Sequence, residues 1–180
     1  MKKTILIILL VYTAVCFLPL FIKDADEYLK SGSKHYKKGD YDKAIADFTK
    51  TIKLKPDYAE VYLVRGGAYL AQEDWDKAFA DYTEAIRLKP GYTDALISRG
   101  AVYFEKEEYD KAIADYTEAI TLIPDYAEAF LCRGIVYAYK NNFEQAIADF
   151  EETLKLEPNN TQAKEGLEQA RQARSNQPHE

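Results

Sequence analysis

Histidine and cysteine are scarce in this 180-residue chain, with two of each. Their scatter excludes more than their number does. His35 and His179 stand near opposite ends, so no two imidazoles have metal-ligand spacing. Cys16 sits in an apolar run and Cys132 in a repeated helical segment. A structural disulfide could not bridge them without breaking the architecture, and Cys132 reads as a small helix residue. No glycine loop that could cradle phosphate occurs, and no nucleophile motif. An enzyme is therefore not expected, and neither is a metal or a cofactor. Beyond residue 23 the chain carries 21 basic against 30 acidic residues, a net of −9. Faces dense in Lys and Arg are missing, which argues against nucleic acid as a partner.

Proline is sparse too, but four of the six, Pro56, Pro90, Pro124 and Pro158, stand 34 residues apart. Nearly everything between them recurs in step. Units starting at Ala25, Ala59, Thr93 and Ala127 carry glycine at the eighth residue: Gly32, Gly66, Gly100 and Gly134. They carry alanine at the twentieth (Ala44, Ala78, Ala112, Ala146) and an aromatic at the twenty-fourth (Phe48, Tyr82, Tyr116, Phe150). The small residues mark where two helix backbones cross closely, and the aromatics fill the gaps beside them. Ala44, Ile45, Phe48 and Ile52, with their later equivalents, form an apolar helical stripe. Each proline closes its unit, since it cannot continue a helix. The period predicts an array of helix pairs, and such arrays bind other molecules rather than transform them.

These residues resemble the tetratricopeptide repeat family. Tyr62, Gly66, Tyr69, Ala78, Tyr82, Ala85 and Pro90 match its whole pattern, and Thr93–Tyr126 departs only at Leu96. The first unit departs at His35 and Thr51, the last at Thr153. The resemblance covers residues 25–160. It implies an all-α fold, a right-handed superhelical solenoid of antiparallel helix pairs, preceded here by an N-terminal apolar helix. The units are then 25–58, 59–92, 93–126 and 127–160. Residues 161–174 read as a capping helix with the apolar stripe Ala163, Leu167 and Ala170, and 175–180 as a frayed tail.

Residues 1–23 are different material. Lys2 and Lys3 precede Thr4 to Ile22, nineteen residues without a charge, enough for one helical crossing of a bilayer. An uncleaved anchor is favoured over a cleaved signal peptide, because cleavage after Cys16 would leave an apolar new N-terminus. Lipidation at Cys16 is a third option, disfavoured by Val15 before it. The short basic tail places the repeats on the extracytoplasmic side, periplasmic or extracellular, although Lys23, Lys30, Lys34, Lys37 and Lys38 count the other way. The last four read as a solvated helix face, with a lipid-headgroup contact as the alternative.

One recurring pair departs from the family pattern. The seventh residue of three units is Arg65, Arg99 or Arg133, and the twenty-third of all four is aspartate: Asp47, Asp81, Asp115 and Asp149. The first unit has Ser31 instead of arginine and no preceding repeat. That predicts pairs across repeat boundaries, Asp47 with Arg65, Asp81 with Arg99 and Asp115 with Arg133. Pairing within a unit is the alternative and leaves Asp47 without an arginine.

The resemblance also implies that the first helix of each unit lines a concave face. Its candidate partner-binding residues are Leu63, Gly67, Leu70, Ile97, Ala101, Phe104, Leu131, Ile135 and Ala138, rimmed by Asp26, Glu60, Asp94 and Glu128. An apolar or amphipathic segment of a partner protein fits that surface. Burial by curvature, anchor or cap is one alternative, and self-association into a homo-oligomer another. Cochaperone members of the family grip a carboxylate terminus with lysine, asparagine and arginine. Those places here hold Leu29, Ser33, Val64, Asp94 and Ser98, or one unit on, Leu63, Gly67, Ser98, Glu128 and Cys132. Neither set keeps a clamp residue, so chaperone tails are disfavoured. The expected function is a membrane-tethered interaction adaptor, with a structural or self-associating envelope component as the alternative.

Overall fold

A computed structural model describes residues 24–176, and the anchor, signal and Cys16 readings fall outside them. Among the described residues there are nine helices and no strand: α1 (Ala25–Lys37), α2 (Tyr41–Leu54), α3 (Ala59–Leu70), α4 (Trp75–Leu88), α5 (Thr93–Glu105), α6 (Tyr109–Leu122), α7 (Ala127–Tyr139), α8 (Phe143–Leu156) and α9 (Thr161–Ser175). None of them is long and apolar enough to cross a membrane. The chain divides into two compact units, one ending at Pro56 and the other running from Asp57.

The punctuation of these helices follows the sequence. Lys55, Lys89, Ile123 and Glu157, the residues before the four prolines, are all extended, with φ between −128° and −135°. The proline ring excludes the helical conformation from its predecessor, so α2, α4, α6 and α8 stop one residue earlier. Inside each pair the chain reverses through one left-handed residue. Gly39 takes this role in the first pair at φ 77°, and Glu73, Glu107 and Asn141 take it later at φ 58–60°. Asp24 and Asn160 cap α1 and α9 by accepting from the backbone N–H three residues on, at 2.8 and 2.9 Å.

In the first unit α1 packs on α2. A Cβ on Gly32 would lie 2.7 Å from the Phe48 ring, so only glycine lets the helices approach this closely. Thr51, where the family has alanine, is fully buried. It is tolerated because its hydroxyl donates to the Asp47 carbonyl at 3.1 Å. Thr153 does the same to the Asp149 carbonyl at 2.9 Å.

In the second unit α3 packs on α4, α5 on α6 and α7 on α8. Consecutive pairs join through α4 with α5 and α6 with α7, and the first helices also touch one another. The cores sit between repeats as well as within them. Tyr82 shares a cluster with Val102 of the next pair, and Tyr116 shares one with Ala129 and Val136. Phe150 ends the series, clustered with Ala163 and Ala170 of α9. A Cβ on Gly134 or on Gly166 would lie 3.0 or 2.8 Å from that ring, so α9 covers the last repeat as another first helix would.

Candidate partner-binding groove

The Arg–Asp pairs form within repeats, which corrects the expectation of pairing across boundaries. Arg65 donates through Nε and Nη2 to the two Asp81 carboxylate oxygens at 2.8 and 2.7 Å. Arg99 holds Asp115 the same way at 2.9 and 2.8 Å, and Arg133 holds Asp149 at 2.8 Å through both nitrogens. The partner lies sixteen residues on, on the second helix of the same pair, and not eighteen residues back. Asp47 lacks an arginine, and its neighbours are His35 Nε2 at 3.9 Å and Lys50 Nζ at 3.8 Å. Register between repeats is carried elsewhere. Arg133 Nη1 donates to Thr117 Oγ1 of the preceding repeat at 3.0 Å, Lys106 reaches back to Asp76 at 2.5 Å, and Lys140 pairs with Asp110.

Rings close over these guanidinium groups. Tyr62 and Tyr69 flank Arg65 with centroids at 5.6 and 5.8 Å, and Phe130 and Tyr137 flank Arg133 at 5.7 and 5.9 Å. Arg99 has Tyr103 at 5.9 Å on one side; Leu96 occupies the other ring's place in the pattern. Desolvation pushes the carboxyls of Asp81 and Asp149 above the usual range, and the bound guanidinium only partly opposes it. For Arg99 and Arg133 the hydrogen-bonded carboxylate raises the pKa further, so both remain cations.

These pairs also set the charge of α3, α5 and α7. The only cations within α3, α5 and α7 are Arg65, Arg99 and Arg133, and each is committed to its aspartate. The surface these helices leave is apolar and acidic. Among the nine expected groove residues, Ile97 and Leu131 are buried, at 7% and 8% exposure, in cores with Tyr116 and Phe150. Leu63, Gly67, Leu70, Ala101, Phe104, Ile135 and Ala138 are half-buried.

Sequence reasoning missed the most exposed member. Tyr139, at 63% exposure, stands at the end of α7, with Phe104 edge-on at 4.9 Å and Tyr109 at 6.3 Å. It is the thirteenth residue of its unit and follows Ala138 directly, so the repeat frame contained the signal. Beside it a cavity of about 570 Å³ opens between α7, α8 and α9, lined in part by Ile135, Ala138 and Phe143. The capping helix therefore lines this cavity as well as closing the core.

Cys132 lies half-buried against the core around Leu96 and Tyr116, and burial pushes its thiol up to about 11, which suits a packing role rather than a nucleophile. Among the described residues no cluster of three or more His, Cys, Asp and Glu could hold a metal ion.

Comparison with known proteins agrees with this geometry. Models described as tetratricopeptide repeat match residues 29–93 and 127–160, and a TPR repeat model matches 100–140. Among curated protein sequences none matches the chain. The crystal structure of MamA is similar over 84% of this chain and 82% of its own, at 26% identity and a TM-score of 0.77. The OM64 TPR domain of Arabidopsis is 32% identical over 63% of this chain and 94% of its own, with a TM-score of 0.62. The first TPR of Spaghetti (RPAP3), solved bound to the HSP90 peptide SRMEEVD, is 30% identical over 65% of this chain and 93% of its own, with a TM-score of 0.64. The chain belongs to the tetratricopeptide repeat family, a helical fold for protein–protein interaction.

Proposed function

We propose that this protein is a membrane-tethered adaptor that holds a partner protein or peptide against the concave face of α3, α5 and α7, with no chemical step. The observation that carries the reading is the pairing of half-buried apolar side chains with arginines that are already committed. Leu70, Phe104, Ile135 and Ala138 offer surface area, and the exposed Tyr139 ring extends it. The uncharged run at residues 4–22 is the tether in this reading, with the right-handed superhelix of repeats on the extracytoplasmic side. Chaperone tails of the SRMEEVD kind fit poorly. That peptide presents three acids, whereas the concave helices here offer Glu60, Asp94 and Glu128 and hold their arginines on aspartates.

A photo-crosslinking residue placed at Leu70 or Tyr139 of the full-length protein, in its native membrane, tests the groove. The same residue at Leu122, an apolar side chain of α6 that is 47% exposed, is the control. Capture of one distinct protein from the groove positions and not from Leu122 is expected. Equal capture from all three positions would reduce the groove to nonspecific apolar surface.

The second reading is a self-associating structural component, and charge asymmetry favours it. Residues 1–56 hold 11 basic and 6 acidic residues, net +5, while residues 57–180 hold 13 and 24, net −11. Opposite ends of one chain can then attract those of another. Sedimentation of the detergent-solubilised full chain decides: mass that rises with concentration at low salt supports it, and a persistent monomer removes it.

A further inference from the structure

We propose that the cavity between α7 and α9 is a subsite for a cationic amphipathic segment of the partner. An apolar side chain would fill the cavity while a neighbouring lysine or arginine lies against Glu165 and the Tyr139 ring. The inference rests on the groove reading above and specifies its chemistry.

The cavity's size, about 570 Å³, lies within the range of ligand-sized pockets, roughly 300–1,000 Å³. Ile135, Ala138, Phe143 and Phe150 make its floor apolar. Its rim is Tyr139 from α7 with Gln162, Glu165 and Gln169 from α9, three and seven residues apart on one helical face. No lysine or arginine lines it. Three cations near it in sequence are committed elsewhere: Arg133 to Asp149, Lys140 to Asp110 and Arg171 to Glu151. Glu165 makes no ion pair among the described residues, and Lys164 and Arg174 of the same helix lie outside the lining.

An acidic guest would therefore meet a carboxylate with no cation in the lining to offset it. A basic guest meets that carboxylate and an exposed aromatic ring, both of which attract it. The net −11 of residues 57–180 adds a long-range field of the same sign, which acts on encounter rate and partner choice. Apolar burial would supply the affinity and the rim would supply the selection.

Two synthetic amphipathic peptides test this. They share one leucine and phenylalanine stripe and carry either lysine or glutamate at the polar positions. Each is titrated against the full-length protein in zwitterionic detergent, with anisotropy as the readout. The lysine peptide is expected to bind about 10-fold tighter at low salt, with the margin shrinking as salt rises. Glu165→Lys, on the exposed face of α9, should remove most of that margin. Gln169→Trp, which fills the cavity from its exposed rim, should weaken both peptides about 5-fold. The subsite is overturned if the glutamate peptide binds equally well or neither binds. It is also overturned if both variants melt like the parent and leave the lysine peptide unaffected. Partner crosslinks from Leu70 with silent cavity variants would sink the subsite and spare the groove. Oligomers that the peptide cannot disperse would place a second copy in the cavity and overturn the proposal too.

Discussion

Arg133 shows how much one side chain carries in a repeat. It is 17% exposed and Asp149 only 7%, so removing the arginine strands a desolvated carboxylate. Arg133→Met should cost roughly 3 kcal/mol at neutral pH, the low end for breaking a buried pair. The pH dependence has a definite sign. Burial already holds Asp149 above its ordinary value of 3.8, and losing the guanidinium raises it further. A carboxyl whose folded pKa is raised contributes its stability below the unfolded value and loses it as pH rises through the folded one. The deficit of Arg133→Met should therefore shrink as pH falls from neutral towards 3.8. Urea unfolding of variant and parent across that range measures it, and a deficit that grows on acidification would refute the assignment. Glu107 offers the opposite case. At φ 58° it holds a left-handed conformation that Gly39 occupies in the first pair. Glu107→Gly should stabilise by about 1 kcal/mol, the cost of a Cβ in that conformation. Thermal melting would show it, and a lower midpoint would mean that Glu107 supplies a compensating contact.

At the scale of helices, what the sequence disclosed and what it hid have one cause, the 34-residue period. Periodicity placed α1 to α8 because glycine, alanine and aromatic positions recur with helical spacing around each proline, and the Ala163, Leu167 and Ala170 stripe placed α9. The same periodicity hid the partners of the arginines. In a repeat, a residue sixteen ahead and one eighteen behind recur equally often, so Asp47–Arg65 and Arg65–Asp81 were indistinguishable on paper. The missing arginine at Ser31 favours the cross-boundary pairs in the sequence, whereas in the structure Asp47 has His35 and Lys50 beside it. Burial of Ile97 and Leu131 was hidden too, since it depends on how closely the neighbouring helices approach. The covering role of α9 can be tested directly. Ending the chain at Asn160 removes the buried Ala163 and Ala170 and uncovers the Phe150 ring. A loss of about 3 kcal/mol and new binding of an apolar dye are expected. An unchanged unfolding midpoint would show that α8 is sufficiently covered without α9.

Over the whole molecule, burial is spread unevenly along the array, and stability should follow it. Stacked repeats gain most of their stability from their interfaces, so each part is as protected as the apolar surface it buries. In the first unit α1 buries Ala25 and Gly32, and α2 buries Ala44, Phe48 and Thr51. In the second, α7 buries five residues and α8 six, Phe143, Ile147 and Phe150 among them. The outer face of α1 is also polar where later repeats are apolar. Lys34 is exposed, whereas Ala68, Val102 and Val136 at the equivalent position are buried. Hydrogen exchange on the full chain should therefore release the amides of α1 and α2 about 10-fold or more faster than those of α5 to α8, through openings that leave the second unit folded. Uniform protection from Ala25 to Leu156 would contradict this and make the array one cooperative block. The distinction bears on binding. If the second unit stays closed while the first opens, the proposed groove of α3, α5 and α7 is preorganised, and a partner that docks there loses little binding energy in ordering it. Adding the lysine peptide should then slow exchange in α7 and α9 and leave α1 and α2 unchanged.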